Sequence, residues 1–287
     1  MGGMPTIAIT GAAGKTGRVV VQYFLDHDYT VVPIDSAGQA GGYGEFSRDL
    51  GVGLMRADLT DYGQTVDILK GVDAVVHLAA IPAPGLFPDS TTFLQNTAMN
   101  YNVFAAAQLL HISPVVWASS ETTFGLPFDT PPLYAPIDED HYPLPTSTYA
   151  LSKVVSETMG VHFAEWTGGA YLALRLSNVH VPEDYQKVRG YQDDFSLRRW
   201  NLWGYVDARD VAQACHKAVV AELDGAHSFV IAAADTLMEA TNTELLHDQF
   251  PGIEIRGDVG EHKTLLSIDK VRELLGYEPQ FSWRDQV

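Results

Sequence analysis

Short, continuous apolar runs alternate along most of the chain with longer segments of helical period. Thr6-Ile7-Ala8-Ile9-Thr10, Thr30 to Ile34, Val52 to Arg56, Ala74 to Leu78, Val115 to Ala118 and Leu172 to Leu176 read as strands, since unbroken apolar or β-branched runs suit strands buried on both faces. Gly14 to His27, Tyr62 to Lys70, Thr92 to His111 and Tyr149 to Trp166 carry the spacing of helices between them. Repetition of strand and helix predicts an α/β fold of Rossmann type, a doubly wound parallel sheet covered on both faces. Beyond Ser177 the regularity weakens: Pro182 to Trp203 is polar and aromatic, Ala208 to Glu222 reads as a helix, Ser228 to Ile231 as a short strand, and Ser267 to Leu275 as a last helix stopped at Gly276. The expected organisation is a Rossmann domain over 1–176 and a small carboxyl-terminal cap over 177–287, with 205–232 returning to the sheet. Such a cap would cover the sheet's carboxyl edge, where doubly wound folds bind ligands.

Composition narrows the function. The 287 residues are 46% hydrophobic and 19% charged, which excludes disordered and fibrous classes. A formal net charge of -18, from 36 acids against 18 bases, repels phosphate backbones and anionic lipid, so a dissolved small molecule is expected as ligand rather than nucleic acid or membrane. No apolar run approaches the roughly 20 residues that cross a bilayer, and the first ten residues lack the basic start and apolar stretch of a secretory signal, so a cytoplasmic location is expected. The single cysteine, Cys215, reads as a small buried apolar residue. Ten histidines without an H-E-x-x-H pattern, and no paired cysteines, give no reason to expect a metal.

Gly11-Ala12-Ala13-Gly14-Lys15-Thr16-Gly17 follows the first strand directly and opens the first helix. Glycines there let the backbone approach a pyrophosphate, whose charge the helix amino terminus stabilises. Gly14-Lys15-Thr16 resembles the end of an ATPase phosphate loop, but the glycine required five residues before Gly14 falls on Ile9, which rejects that reading. Asp35 ends the second strand, 18 residues beyond Gly17, where a carboxylate accepts from ribose hydroxyls and repels a 2′-phosphate. The expected cofactor is therefore NAD rather than NADP, with Lys15 and Arg18 close enough in sequence to soften the preference. Tyr149 and Lys153 stand four residues apart on one helix face, a spacing at which the ammonium lowers the phenol's pKa and makes a base of it. Ser119-Ser120 follows the strand Val115 to Ala118 and offers a hydroxyl at the sheet edge, for a substrate oxygen or for a helix cap. Lys187, Arg189, Arg198 and Arg199 form a basic cluster in the cap; Arg189 is the candidate to clamp a substrate carboxylate or phosphate, against pairing with Asp193, Asp194 or Glu183. Trp200, Trp203 and Tyr191 offer flat surfaces for a sugar ring or for the core.

Taken together, these residues resemble the extended short-chain dehydrogenase/reductases, the NAD-dependent epimerase/dehydratase family. The resemblance runs through Thr10 to Gly17, Asp35, Ala57-Asp58-Leu59, His77-Leu78-Ala79-Ala80, Asn96 to Asn102, Ser119-Ser120 with Phe124-Gly125, Tyr149 with Lys153, Arg175 to Val179, Tyr205-Val206-Asp207 and Gly276 to Pro279. It implies that Asp58 and Leu59 bind adenine, that Leu78, Ala79 and Ala80 line the cofactor's pyrophosphate and ribose, that Asn96 supports the cofactor side, and that Ser119 borders it. It also implies Ser120 as the catalytic hydroxyl, Tyr149 as base, and Lys153 as the partner that lowers the Tyr149 pKa and holds the nicotinamide ribose.

The sequence departs from the family in informative places. Only about 25 positions separate Pro182 from Asp207, too few for the segment with which members acting on nucleotide sugars hold the diphosphate. His180-Val181-Pro182 replaces the family's Tyr-Gly-Pro. Glu121 and Thr122 stand where dehydratases carry an acidic pair, so dehydration is disfavoured; Glu121, Thr122, Asn178 and Arg189 remain as substrate contacts. The expected activity is NAD-dependent oxidation of a free sugar or sugar acid, as in compact members resembling uronate or aldose dehydrogenases. A nucleotide-sugar epimerase and a non-enzymatic NAD-binding regulator are the alternatives. The resemblance further implies a homodimer through Thr92 to His111 and Tyr149 to Trp166.

Overall fold

A computed structural model describes residues 4–36 and 43–286 of the chain. In order the elements are β1 (Thr6–Thr10), α1 (Lys15–Asp26), β2 (Thr30–Asp35), α2 (Tyr43–Leu50), β3 (Met55–Arg56), α3 (Tyr62–Leu69), β4 (Ala74–His77), α4 (Asp89–Leu110), β5 (Val115–Ser120), β6 (Tyr134–Ala135), α5 (Thr148–Thr167), β7 (Ala170–Leu176), β8 (Val179–His180), β9 (Val206–Asp207), α6 (Ala208–Val220), β10 (Gly225–Ile231), α7 (Asn242–Gln249), β11 (Glu254–Ile255) and α8 (Asp269–Leu275). Seven strands make one parallel sheet in the order β10-β7-β5-β4-β1-β2-β3, and the order reverses beside β1, the switch point of a doubly wound fold. Two short parallel pairs, β6 with β11 and β8 with β9, lie outside it.

The apolar runs are unbroken because the strands feed two cores at once. Along β1, Ile7 and Ile9 enter the core beneath α1 and α6, while Ala8 points into the core beneath α3, α4 and α5. On β7, Leu172 and Leu174 divide from Tyr171 and Ala173 in the same way. This is the period-two alternation of a sheet with both faces covered. Cys215 is fully buried in the first core. No helix among the described residues is long and apolar enough to cross a membrane.

Local chemistry sets the helix ends. Ser147 accepts from the Ala150 amide through its hydroxyl at the start of α5, and Gly168 closes that helix in the left-handed region at φ 70°. The α4 helix starts at Asp89, three residues ahead of the expected Thr92, because Pro88 takes the cap position. The strand expected over Val52 to Arg56 shrinks to Met55–Arg56, an exposed edge with one neighbour; with so little packing, an apolar run alone does not form a strand. The α2 and α7 helices, and the β6 and β11 pair, were not foreseen; each element is eight residues or fewer, and its periodic signal is correspondingly weak.

The glycine loop is built by crowding. Gly11 has φ +68°, and a Cβ there would stand 2.7 Å from the Ala79 nitrogen; a Cβ on Gly17 would stand 2.0 Å from the Gly11 carbonyl oxygen. Gly17→Ala must therefore displace backbone, and we expect it to cost about 1–3 kcal/mol, as overpacking typically does. Urea unfolding of the variant measures this directly.

Candidate active site

One groove of 1260 Å³ runs along the carboxyl edge of the sheet, and the loops that leave the strands there build it. After β1 come Gly11, Gly14, Lys15, Thr16 and Gly17; Gly14 caps α1 without a side chain, so the first amides of the helix face the groove free of any side-chain cap. After β2 comes Asp35, a buried carboxylate that accepts from the Ala13 amide at 2.8 Å and the Ser36 amide at 2.7 Å. Burial raises its pKa and those two bonds oppose the rise. Asp58 and Leu59 line the groove after β3; the Leu59 carbonyl is held by the buried Asn102 amide at 2.9 Å. Leu78, Ala79 and Ala80 follow β4. These features fit an NAD: a loop with no room for a Cβ at Gly11 or Gly17, a helix amino terminus for the pyrophosphate, and a carboxylate at ribose distance along the chain.

The next loops carry the chemistry. Ser119 and Ser120 end β5 with Glu121 and Thr122 just beyond it, Ser177 and Asn178 follow β7, and Tyr149 and Lys153 rise from α5 into the same groove. The two serines have different employment. Ser119 donates to Glu157 at 2.6 Å, away from the reacting end, whereas the Ser120 hydroxyl caps the following turn, accepting from the Thr122 amide at 3.2 Å and its hydroxyl at 3.0 Å. Glu157 also receives Arg175 at 3.0 and 2.8 Å, a buried pair behind Lys153 that the sequence did not single out. Lys153 donates to the Ala118 carbonyl at 2.7 Å, and its ammonium stands 5.5 Å from the centre of the Tyr149 ring. Burial brings Lys153 down to about 8, against the pull of Glu157.

The readings of Tyr149 and Arg189 are corrected, and Asn96 and the cap aromatics find their places behind or along the groove. Tyr149 is not lowered by Lys153; burial pushes its hydroxyl up to about 12, the charge of Glu121 adds to the rise, and the Ser120 hydroxyl opposes it. Asn96 does not line the groove. It is fully buried and braces the loop, accepting from the Ile81 amide at 2.8 Å and donating to the Ile81 carbonyl at 3.1 Å. Arg189 is exposed and outside the groove, because Val188 beside it takes the buried side of the Pro182–Tyr191 turn. Of the aromatic residues, Trp200 lines the groove, but Trp203 is fully buried with its indole donating to the Phe195 carbonyl at 2.8 Å, and Tyr191 packs beneath Arg198.

Sequence reasoning also missed the polar network behind Glu121. That carboxyl is 3% exposed; it accepts from Ser177 at 2.6 Å and Asn201 at 3.1 Å. Burial raises it to about 7, against those two bonds and the charge of Arg198. Asn201 and Arg198 lie in the short Phe195–Asn201 turn, which has no periodic signal to mark which side faces in. His77 is likewise buried, its Nδ1 paired with the Thr10 hydroxyl at 2.6 Å, and burial followed by the charge of Lys153 holds it down to about 3.

Comparison with known proteins agrees with this geometry. Residues 7–232 match the model of the NAD dependent epimerase/dehydratase family, and the chain belongs to that family of extended short-chain dehydrogenase/reductase enzymes. It is 29% identical over 228 residues to L-arabinose 1-dehydrogenase (NAD(P)(+)) of Haloferax volcanii, covering 77% of this chain and 84% of that one. The fold resembles that of UDP-glucose 4-epimerase from Thermotoga maritima, with TM-score 0.73 and 20% identity over 98% of this chain and 96% of the other. It also resembles glucuronic acid dehydrogenase from Chromohalobacter salexigens, with TM-score 0.69 and 20% identity over 99% and 88%. The protein is an NAD-dependent enzyme of this family.

Two outcomes test the site. Asp35→Ser removes the ribose acceptor and the charge that repels a 2′-phosphate, so the Kd for NAD should rise about tenfold or more, the loss of a charged hydrogen bond, while NADP binding improves; fluorescence titration with both reduced cofactors checks this. His77 is kept neutral in the fold but takes a proton near 6.5 when unfolded, so its contribution is complete above 6.5 and lost as pH falls toward 3. The melting temperature should therefore drop more steeply from pH 6.5 to 4 in the native protein than in His77→Gln.

Proposed function

We propose that this protein is a dehydrogenase that oxidises a free sugar or sugar acid at a carbinol carbon with NAD as acceptor. The observation that carries the reading is the meeting of Ser120, Tyr149 and Lys153 in one groove with the glycine loop, close to a substrate end walled by short turns rather than a long nucleotide-holding segment. Its likeness to an L-arabinose 1-dehydrogenase supports it. Bound NAD supplies an acceptor for the hydride that leaves the carbinol carbon. Ser120 orients the hydroxyl, and Tyr149, as the phenolate left after its own proton has gone to solvent, takes the substrate proton and returns to the phenol, with the Lys153 ammonium nearby. Oxidation of an anomeric carbon yields a lactone. Loss of a proton from a buried phenol is easier as pH rises, so the oxidation rate should climb with pH.

The same reading includes a homodimer through α4 and α5. Leu94, Tyr101 and Leu109 on one helix, and Leu151, Val161 and Trp166 on the other, are exposed, more apolar surface than scattered residues account for. Tyr149→Phe removes the oxygen that accepts the substrate proton and should lower kcat by about 100- to 10,000-fold with NAD binding unchanged. Full activity in that variant sinks the mechanism. Tightly held cofactor with no net oxidation of any sugar would indicate an epimerase. Trp166→Glu should shift the protein to monomer in sedimentation equilibrium.

A further inference from the structure

The basic cluster of the cap is turned away from the groove: Arg189 faces water and the other three have partners elsewhere. Lys187 pairs with Asp184 at 3.2 Å, which Lys15 also holds at 2.8 Å. Arg199 donates to the Phe128 carbonyl at 3.3 Å and lies over the Phe250 ring. Arg198 is buried one layer behind the groove: both terminal nitrogens donate to the Asn178 side-chain oxygen at 3.2 Å, one also reaches the Gly204 carbonyl at 3.0 Å, and its guanidinium rests 4.7 Å from the centre of Trp200. Asn178 and Trp200 line the groove, and Arg198 does not. Among the described residues, the cations that do line it are Lys15 and Arg56, beside the glycine loop and Asp58, and Lys153. Around the reacting end stand Ser120, Thr122, Ser177 and Asn178, all neutral, with Glu121 as the acid.

Resting on the dehydrogenase reading above, we propose that the substrate is an uncharged sugar and that Glu121 is the residue that determines this. A carboxylate held in place by Ser177 and Asn201 accepts further hydroxyl donors, because each oxygen has a second lone pair. A uronate or a sugar phosphate brings its own anion to the same wall, where no guanidinium or ammonium fork is turned toward it, and like charges a few ångströms apart oppose binding. Arg198 balances Glu121 from behind without offering a donor to the groove, so neutral hydroxyls gain from this wall and anions do not.

The test is a substrate panel at pH 8, where Glu121 is ionised: neutral pentoses and hexoses, the matching uronates and the matching sugar phosphates, each with NAD and NADP. We expect kcat/KM for the best neutral sugar to exceed that of its charged counterparts by about 100-fold, the scale of one unscreened like-charge contact. Glu121→Gln keeps both bonds, since the amide oxygen accepts from Asn201 and the amide nitrogen donates to Ser177. It should narrow the ratio below tenfold by lowering KM for the charged sugars more than for the neutral one, a difference between substrates that any common change in kcat leaves intact. A native enzyme that prefers a uronate or a sugar phosphate overturns the inference and leaves sugar oxidation standing, and an unchanged ratio in Glu121→Gln overturns the role of Glu121. No oxidation of any of the three classes removes the dehydrogenase reading as well.

Discussion

A parallel sheet imposes a direction on everything built from it. Each strand must be followed by a crossover that returns the chain to the start of the next, so all seven carboxyl ends emerge on one edge. The loops after β1, β2, β4, β5 and β7 therefore deliver Gly11 to Gly17, Asp35, Ala79, Ser120 and Asn178 to the same groove, although up to 167 residues separate Gly11 from Asn178. The reversal of strand order beside β1 parts the crossovers to opposite faces and leaves the crevice between them. The amides at the start of α1 point into that crevice, which makes it attractive to anions at one end before any side chain acts.

At the other end the problem is to keep a cation out of water. Lys153 is 2% exposed, and an isolated ammonium so placed loses much of its hydration. The Ala118 carbonyl and the nearby Glu157 return part of it, and Arg175 fixes Glu157 with two bonds. A buried pair of this kind contributes little net stability against its own desolvation, but removing one member leaves an uncompensated charge. Here it holds Lys153 beneath the Tyr149 ring and occupies Ser119, so that Ser120 is the serine beside the reacting hydroxyl. Tyr149 stays high because burial outweighs its neighbours, so the neutral phenol is its resting form near neutral pH.

The cap works by shape and by hiding charge. Its 3-10 turns bring Trp200 to the groove beside Asn178, which follows β7, and fold Arg198 behind both, where the guanidinium is paired with neutral oxygens and aromatic faces. The acidic surface of the molecule and the acid at the reacting end thus act in the same sense, against anionic ligands other than the cofactor.

What the sequence determined by itself was the part encoded within a few neighbouring residues. Unbroken runs such as Thr6 to Thr10 and Val115 to Ala118 declare strands covered on both faces, and Gly11 to Gly17 declares a turn that only glycines can make. The Tyr149 and Lys153 spacing declares one helix face. Tertiary structure alone decided the orientation and charge of the side chains: that Arg189 faces water while Arg198 turns inward, that Asn96 braces Ile81 instead of touching the groove, that burial raises Tyr149, and that Glu121 meets Ser177 and Asn201 across 56 and 80 residues. The division has one physical cause. Backbone periodicity and turn geometry are local, whereas desolvation and ion pairing depend on which distant groups the fold brings within a few ångströms.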